Sequence, residues 1–310
     1  MLNEVALTPD VFDGNLYTSQ EACGIHLRYI REPLLSEVLV RNLRSGAWSS
    51  YITGNTGRWH LFGKELFKKL ATQNRLRLFD FAGEIEPQSD DHWCDEAIAS
   101  SEVENLEIIL STKTVAENHS QCPLVHSVEM TTNSTWWQSR SPSRIVPRKM
   151  EAYLEVLKLV LRCSNSLIFI DPHVDPSLPR YSNFIQLLLA AKRTPAATLE
   201  VHRVCYEGSG PNRVLFTGVR QSELESRFRD SWSAQLKAAG IKVSVYVWSD
   251  IHDRALISNL IGLRVSNGFD ESNDANETVT FSRLGRQDSE KVQRDIDPAV
   301  NRPRYVFQIP

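Results

Sequence analysis

The sequence predicts an α/β (α+β) protein of two domains, and three observations lead to this fold class. The chain has 310 residues, the size of two ordinary domains or one large one. Hydrophobic residues make up 41% and charged residues 24%, which is typical of a globular protein and excludes a disordered or fibrous chain. Segments with helical spacing alternate with short extended segments, as in sheets that are covered by helices.

The segment 131–147, TTNSTWWQSRSPSRIVP, is rich in Ser, Thr and Pro and predicts a linker. We therefore expect a smaller N-terminal α/β module over residues 1–130 and a second domain over residues 148–310, a mixed sheet flanked by helices. The first 140 residues carry 12 basic and 19 acidic side chains, and the rest carry 23 and 19. An acidic half repels phosphate or binds a partner, whereas a basic half can face phosphate.

In the N-terminal module, Leu34, Leu35, Val38 and Leu39 follow helical spacing and predict a helix over residues 33–43. His26 is expected to lie in an ordinary strand. The elements predicted after them are, in chain order, a polar loop at 46–59, a helix at 63–72, a strand at 76–81, a helix at 90–104 capped by Ser89, and a strand at 106–110.

The second domain has clearer patterns. They predict, in chain order, a helix at 149–162, a strand at 166–170, a helix at 183–192, a strand at 198–206, a helix at 222–239 closed by Gly240, a strand at 242–248, an extended segment at 255–265 and final strands at 277–284 and 305–309. Residues 207–211 predict a flexible loop at the rim of a site. This order of elements is typical of a mixed sheet with helices on its faces.

The segment 242–269, KVSVYVWSDIHDRALISNLIGLRVSNGF, carries the strongest chemical signal. It resembles the second half of the phospholipase D superfamily motif, H-x-K-x4-D-x6-G-S-x-N. His252 matches the nucleophilic histidine, Arg254 takes the lysine position and Asn259 falls on the aspartate. Ser266 and Asn267 fall on the Gly-Ser positions.

The resemblance implies a phospholipase-D-like domain that acts as a metal-independent phosphodiesterase or nuclease and needs no cofactor. In that family a histidine attacks phosphorus, and cationic and amide side chains stabilise the developing charge. His252 would be the nucleophile, and Arg254 and Asn259 would hold phosphate oxygens. Asp250 or Asp253 would orient the imidazole. Nucleic acid is the favoured substrate, and the family resemblance implies a role in bacterial mobile-element or antiviral phage defence.

Two neighbouring strands supply further candidates. Asp171 and His173 directly follow the strand 166–170, where ligand sites of α/β proteins gather, although an Asp-Pro turn is the favoured explanation of Asp171. Glu200 and His202 lie two positions apart and therefore share a face of the next strand. They face either the site or solvent. These side chains are predicted to support the reacting histidine.

Phe269 stands where the motif ends in Asn, and this departure leaves a second hypothesis open. In that hypothesis the protein is a non-catalytic phospholipase-D-like scaffold or recognition subunit of a larger nucleoprotein or defence complex. Because the chain carries a single half-motif, catalysis would require a homodimer.

Composition also bears on the compartment. Five cysteines without a CxxC pair indicate reduced thiols. No apolar run approaches the roughly 20 residues of a membrane span, and the N-terminus lacks the pattern of a secretory signal. We expect a cytoplasmic protein with no metal site and no membrane contact.

Overall fold

The computed structural model describes residues 1–207, 212–216 and 218–310, which form two compact units, Leu2–Arg140 and Ser141–Pro310. Each unit combines helices with a sheet, so the predicted α/β class is confirmed. Within these described ranges, no helix is both long and apolar enough to cross a membrane. All five cysteines are free thiols.

The N-terminal unit is built on a parallel sheet. Its strands are β1 (Asn3–Leu7), β2 (Val38–Asn42), β3 (Leu76–Leu78), β4 (Ile108–Ser111) and β5 (Val125–Ser127). Its helices are α1 (Gln20–Ser36), α2 (Leu43–Gly54), α3 (Leu61–Thr72), α4 (Asp90–Val103), α5 (Lys113–Asn118) and α6 (Thr135–Ser139). The strand order β3-β2-β1-β4-β5 reverses between β1 and β4, as in doubly wound α/β folds.

Three local predictions for this unit are wrong. The helix expected over residues 33–43 is the end of α1 followed by β2, and the loop expected over 46–59 contains most of α2. His26 lies in α1 rather than in a strand. Every residue of β2 is buried, because β2 is an inner strand of a parallel sheet covered on both faces. A strand of that kind has no alternating pattern to distinguish it from a helix.

The C-terminal unit contains an eight-stranded mixed sheet. Its strands are β6 (Ser143–Pro147), β7 (Ser166–Ile170), β8 (Thr198–Val204), β11 (Val243–Trp248), β12 (Ala255–Ser258), β13 (Gly262–Val265), β14 (Thr278–Arg283) and β15 (Tyr305–Ile309), and a short hairpin of β9 (Tyr206–Glu207) and β10 (Val214–Leu215) lies outside it. Its helices are α7 (Met150–Cys163), α8 (Ile185–Ala190), α9 (Gly218–Ala239) and α10 (Arg286–Asp295). The order is β15-β11-β8-β7-β12-β13-β14-β6.

The predicted strands of this unit agree closely with the observed ones. Strand β7 begins and ends where the apolar run does, and β11 alternates buried and half-buried residues along most of its length. Strand β11 lies one position in from the edge, between β15 and β8. Both of its backbone edges are therefore hydrogen bonded.

The segment over residues 131–147, expected to be a linker, contains regular secondary structure instead. Its first part belongs to the N-terminal unit, where α6 places Trp136 in the core. Its last part is β6, which pairs with β14 at the edge of the eight-stranded sheet. Ser, Thr and Pro are therefore used here for helix capping and for an edge strand, where Pro is tolerated.

Asp10 follows β1 at the point where the strand order of the N-terminal sheet reverses. Its side chain is buried, and its Oδ2 accepts hydrogen bonds from the Thr112 backbone N–H (2.8 Å) and the Thr112 hydroxyl. Burial raises the pKa of Asp10, against the hydrogen bonds from Thr112, and the charge of Asp90 raises it further. The folded state therefore binds the proton of Asp10 more tightly than the unfolded chain does.

This shift predicts how Asp10 affects stability. Its contribution is fully present below the pKa of the unfolded chain and is lost as pH rises through the raised folded pKa. We expect Asp10→Asn, which remains neutral, to gain melting temperature relative to wild type between about pH 4 and about pH 7. Thermal unfolding of both proteins across this range is the measurement. Glu86→Gln, at an exposed position, is the control, and an equal gain there would contradict the assignment.

Candidate functional site

The loop 249–254 crosses one edge of the C-terminal sheet. Strands β11, β8 and β7 are parallel, so their carboxyl ends meet at this edge, and the antiparallel strand β12 begins there. Since β8 and β7 lie between β11 and β12, the loop spans three strand spacings of about 4.8 Å each. The histidine and arginine of the predicted motif therefore lie over the carboxyl ends of β8 and β7.

Asp171 is the buried anchor of this edge. It follows β7 directly, and its Oδ1 accepts a hydrogen bond from the His173 backbone N–H (3.0 Å). Its Oδ2 accepts from the Tyr181 hydroxyl and from the Phe269 backbone N–H, each at 3.0 Å. Both alternatives raised by the sequence are thus combined, because Asp171 builds the turn and also joins three segments of the site.

His173 stands at this edge as a half-buried imidazole. Burial lowers its pKa, and the positive charges of Arg254, Arg180 and Arg203 lower it further, against the opposite effect of Asp171. The ring is therefore neutral at neutral pH. A neutral imidazole with arginine nearby is an arrangement suited to an anionic ligand, because the imidazole can act as a nucleophile or base while the cation binds the anion.

Arg254 supplies a cation that the fold leaves uncommitted. Its side chain is half-buried, and across residues 1–207, 212–216 and 218–310 its guanidinium has neither a carboxylate partner nor a hydrogen bond. Arg203, in contrast, donates to the carbonyl oxygens of Val174 (2.7 Å) and Tyr206 (3.0 Å). Arg203 therefore serves the fold, whereas Arg254 is available to a ligand.

Gly268 lies in the loop that follows β13 and packs against the side chains of Asp171 and Arg254. Its φ of +85° is in the region that favours glycine. A Cβ at this position would lie 2.5 Å from Asp171 Oδ2 and 3.2 Å from Arg254 Cδ. The glycine of the Ser-Asn-Gly sequence therefore permits a close approach of this loop to Asp171 and Arg254.

His252 and its acidic neighbours lie on the outside of the loop. The His252 side chain is 83% exposed, and its Nε2 lies 3.4 Å from Asp250 Oδ1. Asp253 is 3.9 Å from Arg264. His252 and Arg254 both lie in the loop rather than in a strand, because β12 begins only at Ala255.

Asn259 is not part of this edge. It follows β12 at the opposite end of the sheet, where its Oδ1 accepts from the backbone N–H of Asn165 (2.7 Å) and Ser166 (3.3 Å). It lies four residue steps beyond Ala255, a distance of about 13 Å along an extended strand. The predicted role of Asn259 as a phosphate ligand beside Arg254 is therefore wrong.

Ser266 and Asn267 also have structural partners. The Ser266 hydroxyl accepts from the Thr280 N–H (3.0 Å), and Asn267 Nδ2 donates to the Thr278 carbonyl (3.2 Å). Both therefore fasten the start of this loop to β14. The loop predicted at the rim of the site over residues 207–211 lies outside the described residues from 208 onward.

Glu200 and His202 share a face of β8 as predicted, but they form a closed network. His202 is fully buried, with Nε2 3.0 Å from Glu200 Oε2, and its Nδ1 accepts from Trp248 Nε1 (3.0 Å). Its ring also stacks on Tyr246 with 4.6 Å between centroids. Burial lowers the pKa of His202, so a neutral ring links two strands on the face that packs against α10.

A second polar cluster lies in the N-terminal unit, and sequence reasoning missed it. Arg58 Nε donates to Asp13 Oδ2 (2.5 Å), and its Nη2 donates to Asp90. The sequence predicts only a polar loop over residues 46–59, the segment that contains Arg58. No signal in the sequence pairs Arg58 with carboxylates that lie 45 and 32 positions away.

The environment of His173 predicts its titration. We expect a pKa below the ordinary histidine value of about 6.5 in the wild-type protein. Arg254→Ala removes a nearby positive charge and raises the pKa, whereas Arg254→Lys retains the charge and most of the shift. Histidine ring resonances followed by NMR across a pH series measure this. Identical His173 titrations in wild type and Arg254→Ala would show that the two side chains do not interact.

The hydrogen bonds to Asp171 predict a large effect on stability. Asp171→Ala leaves three donors without their acceptor, and we expect a loss of about 3 kcal/mol in the free energy of unfolding. Denaturant unfolding is the measurement. Asp274→Ala is a matched control, because Asp274 accepts a similar turn hydrogen bond from Asn276 on the surface. Equal losses in the two variants would contradict the anchoring role.

No protein-family model matches the sequence, and no curated protein matches it. Among solved structures, the chain is similar to polyphosphate kinase from Porphyromonas gingivalis at 13% identity, with a TM-score of 0.32 over 53% of this chain. The chain spans 27% of the length of that structure. It is also similar to TrmBL2, an archaeal chromatin protein with a novel mode of DNA binding, at 10% identity and a TM-score of 0.31, covering 78% of this chain and 82% of the other.

Proposed function

We propose that the C-terminal unit is a phospholipase-D-like module that binds a phosphodiester group of nucleic acid at the carboxyl edge of β7 and hydrolyses it without a metal. The single observation that carries this proposal is the half-buried Arg254 guanidinium at this edge, which has no carboxylate partner and no hydrogen bond among the described residues. The sequence resemblance of residues 242–269 to the superfamily motif supports the same chemistry.

Arg254 is the phosphate anchor in this proposal. A guanidinium offers a planar pair of donors that matches two phosphate oxygens, and such charge-assisted pairs are stronger than neutral hydrogen bonds. The neighbouring carboxylate of Asp171 forms no salt bridge or hydrogen bond with this cation among the described residues, and its oxygens accept from three other donors. The guanidinium therefore remains the group at this edge that an anion can bind.

The nucleophile is His173 and not His252, to which the motif gives that role. A nucleophile needs an unprotonated ring, which burial and the arginines favour at His173. His173 forms a nitrogen–phosphorus bond as the bond to the leaving oxygen breaks. His252, exposed and 3.4 Å from Asp250, gives that oxygen its proton. Water then attacks phosphorus and returns a proton to His252, and the nitrogen–phosphorus bond breaks.

The exposure of His252 favours a second candidate function. A side chain that is 83% exposed is not held in place for proton transfer, and Asn259, Ser266 and Asn267 all have structural partners. In this alternative the edge binds nucleic acid without cleaving it, as a recognition subunit of a larger assembly or a defence complex. A homodimer that covers the exposed loop would instead complete the catalytic site.

The proposal predicts hydrolysis that survives chelation. In EDTA, the full-length protein should cleave an oligonucleotide or bis(4-nitrophenyl) phosphate. His173→Ala should abolish turnover, because no other group supplies the nucleophile. Arg254→Lys keeps the charge but loses the paired donors, which should cost about 1–3 kcal/mol of transition-state binding. Initial rates test the chemistry. The molecular mass of the protein in solution tests whether the site is formed by a dimer.

His126→Ala, in the other unit, is the matched control and should retain the wild-type rate. His252→Ala distinguishes the two histidines: a protein that loses activity with His252→Ala but not with His173→Ala restores the assignment that the motif gives. A wild-type protein that binds nucleic acid through Arg254 but cleaves none of these substrates supports the recognition subunit instead.

A further inference from the structure

A cleft of about 630 Å³ lies beside Arg180 on the C-terminal unit. This volume is within the range of about 300–1,000 Å³ for pockets that enclose small ligands. Six of the eight residues that line it are polar or charged, namely Lys149, Arg180, Asn183, Glu271, Ser272 and Asn273. The cleft therefore has the size and the polarity to hold a nucleotide.

The backbone connects this cleft to the proposed catalytic edge. The Phe269 N–H donates to Asp171 Oδ2 (3.0 Å), and two residues later the Glu271 N–H donates to the Arg180 carbonyl (2.8 Å). The segment 269–271 thus leads from Asp171 to the wall of the cleft. A ligand bound at Arg254 has the cleft as its neighbour.

Arg180 connects the cleft with the proposed catalytic edge. It lines the cleft, and its charge contributes to the low pKa of His173. The next residue, Tyr181, donates its hydroxyl to Asp171 Oδ2 (3.0 Å), so Arg180 directly precedes a residue that contacts the proposed catalytic edge. The Arg180 side chain is 52% exposed, and its Nε is 3.9 Å from Asp270 Oδ2, too far for a hydrogen bond. Arg180 therefore forms a long ion pair with Asp270, and its exposed guanidinium can also reach a phosphate.

The carboxylate of Glu271 does not prevent an anion from entering. Its Oε1 accepts from the Met150 N–H (2.9 Å) at the start of α7, and its Oε2 accepts from Asn183 Nδ2 (2.7 Å). The positive end of a helix and an amide thus offset its charge. Lys149, whose Nζ donates to the Ser272 carbonyl (2.7 Å), adds a cation at the same wall.

We infer, on the basis of the proposed function, that this cleft holds the nucleotide next to the scissile phosphate and that Arg180 binds the following phosphate. The substrate is then a single strand of nucleic acid rather than a small phosphodiester or a duplex. An unpaired nucleotide can enter a notch of this size, whereas a paired base is held inside its duplex. The Asn273 amide is available to the sugar and base, and the Ser272 hydroxyl, which accepts from the Asp274 N–H (3.1 Å), can still donate its own proton.

Binding of fluorescein-labelled oligothymidylate to the full-length protein in EDTA, followed by anisotropy over a salt series, tests the inference. Arg180→Ala should lower the affinity several-fold and reduce the slope of log K against log salt by about 0.7, the value for one phosphate contact on a single strand. Arg286→Ala removes a charge that is 91% exposed and remote from the cleft in sequence, and should change neither quantity. Oligouridylate in place of oligothymidylate separates RNA from DNA.

Arg254→Ala keeps this inference separate from the proposed function. It should weaken both the strand and bis(4-nitrophenyl) phosphate, a small diester measured by competition, whereas Arg180→Ala should weaken the strand more than the diester. If Arg254→Ala weakens both ligands but Arg180→Ala matches wild type, the cleft is not a nucleotide site. If Arg254→Ala weakens neither ligand, the proposed function itself fails. Equal effects of Arg180→Ala on strand and duplex would overturn the single-strand assignment.

Discussion

One buried carboxylate organises the candidate site of the C-terminal unit. Asp171 accepts hydrogen bonds from the turn that carries His173, from Tyr181 in the next segment and from Phe269 far along the chain. Buried carboxylates are costly unless they are hydrogen bonded, so these donors and Asp171 depend on one another. The close approach also explains Gly268, because a side chain at that position would collide with the carboxylate. The position of the histidine follows from this contact, because Asp171 accepts from the His173 backbone N–H.

The fold could be predicted from the sequence where burial is one-sided or where an apolar run ends sharply. Strand β11 and helix α7 have those patterns, and the sequence places both within one residue at each end. The sequence of the N-terminal unit has fewer of these patterns. Strand β2 is buried at every position, so its apolar residues fit the spacing of a helix as well as that of a strand. The parallel order of five strands is set by long-range pairing that no local pattern records.

The candidate site could be predicted only in part, for the same reason. The motif located the loop that crosses the edge of the sheet, and with it Arg254. It could not show that Asn259 lies at the far end of β12, because that depends on the antiparallel pairing of β12 with β7. Nor could it rank His173 above His252. The difference between a half-buried ring near three arginines and an exposed ring arises from contacts between segments that are distant in sequence.

The loop between β11 and β12 has one more consequence. Its path over two strands is about 14 Å, whereas six extended residues reach about 20 Å, so the connection has slack. At its end Arg254 is held, because its carbonyl accepts from the Val265 N–H (2.8 Å), while His252 in its middle is not. The loop therefore behaves as a tether with one fixed and one free functional group. A change in loop length would therefore alter how far the His252 side chain extends from the sheet, while Arg254 keeps its position.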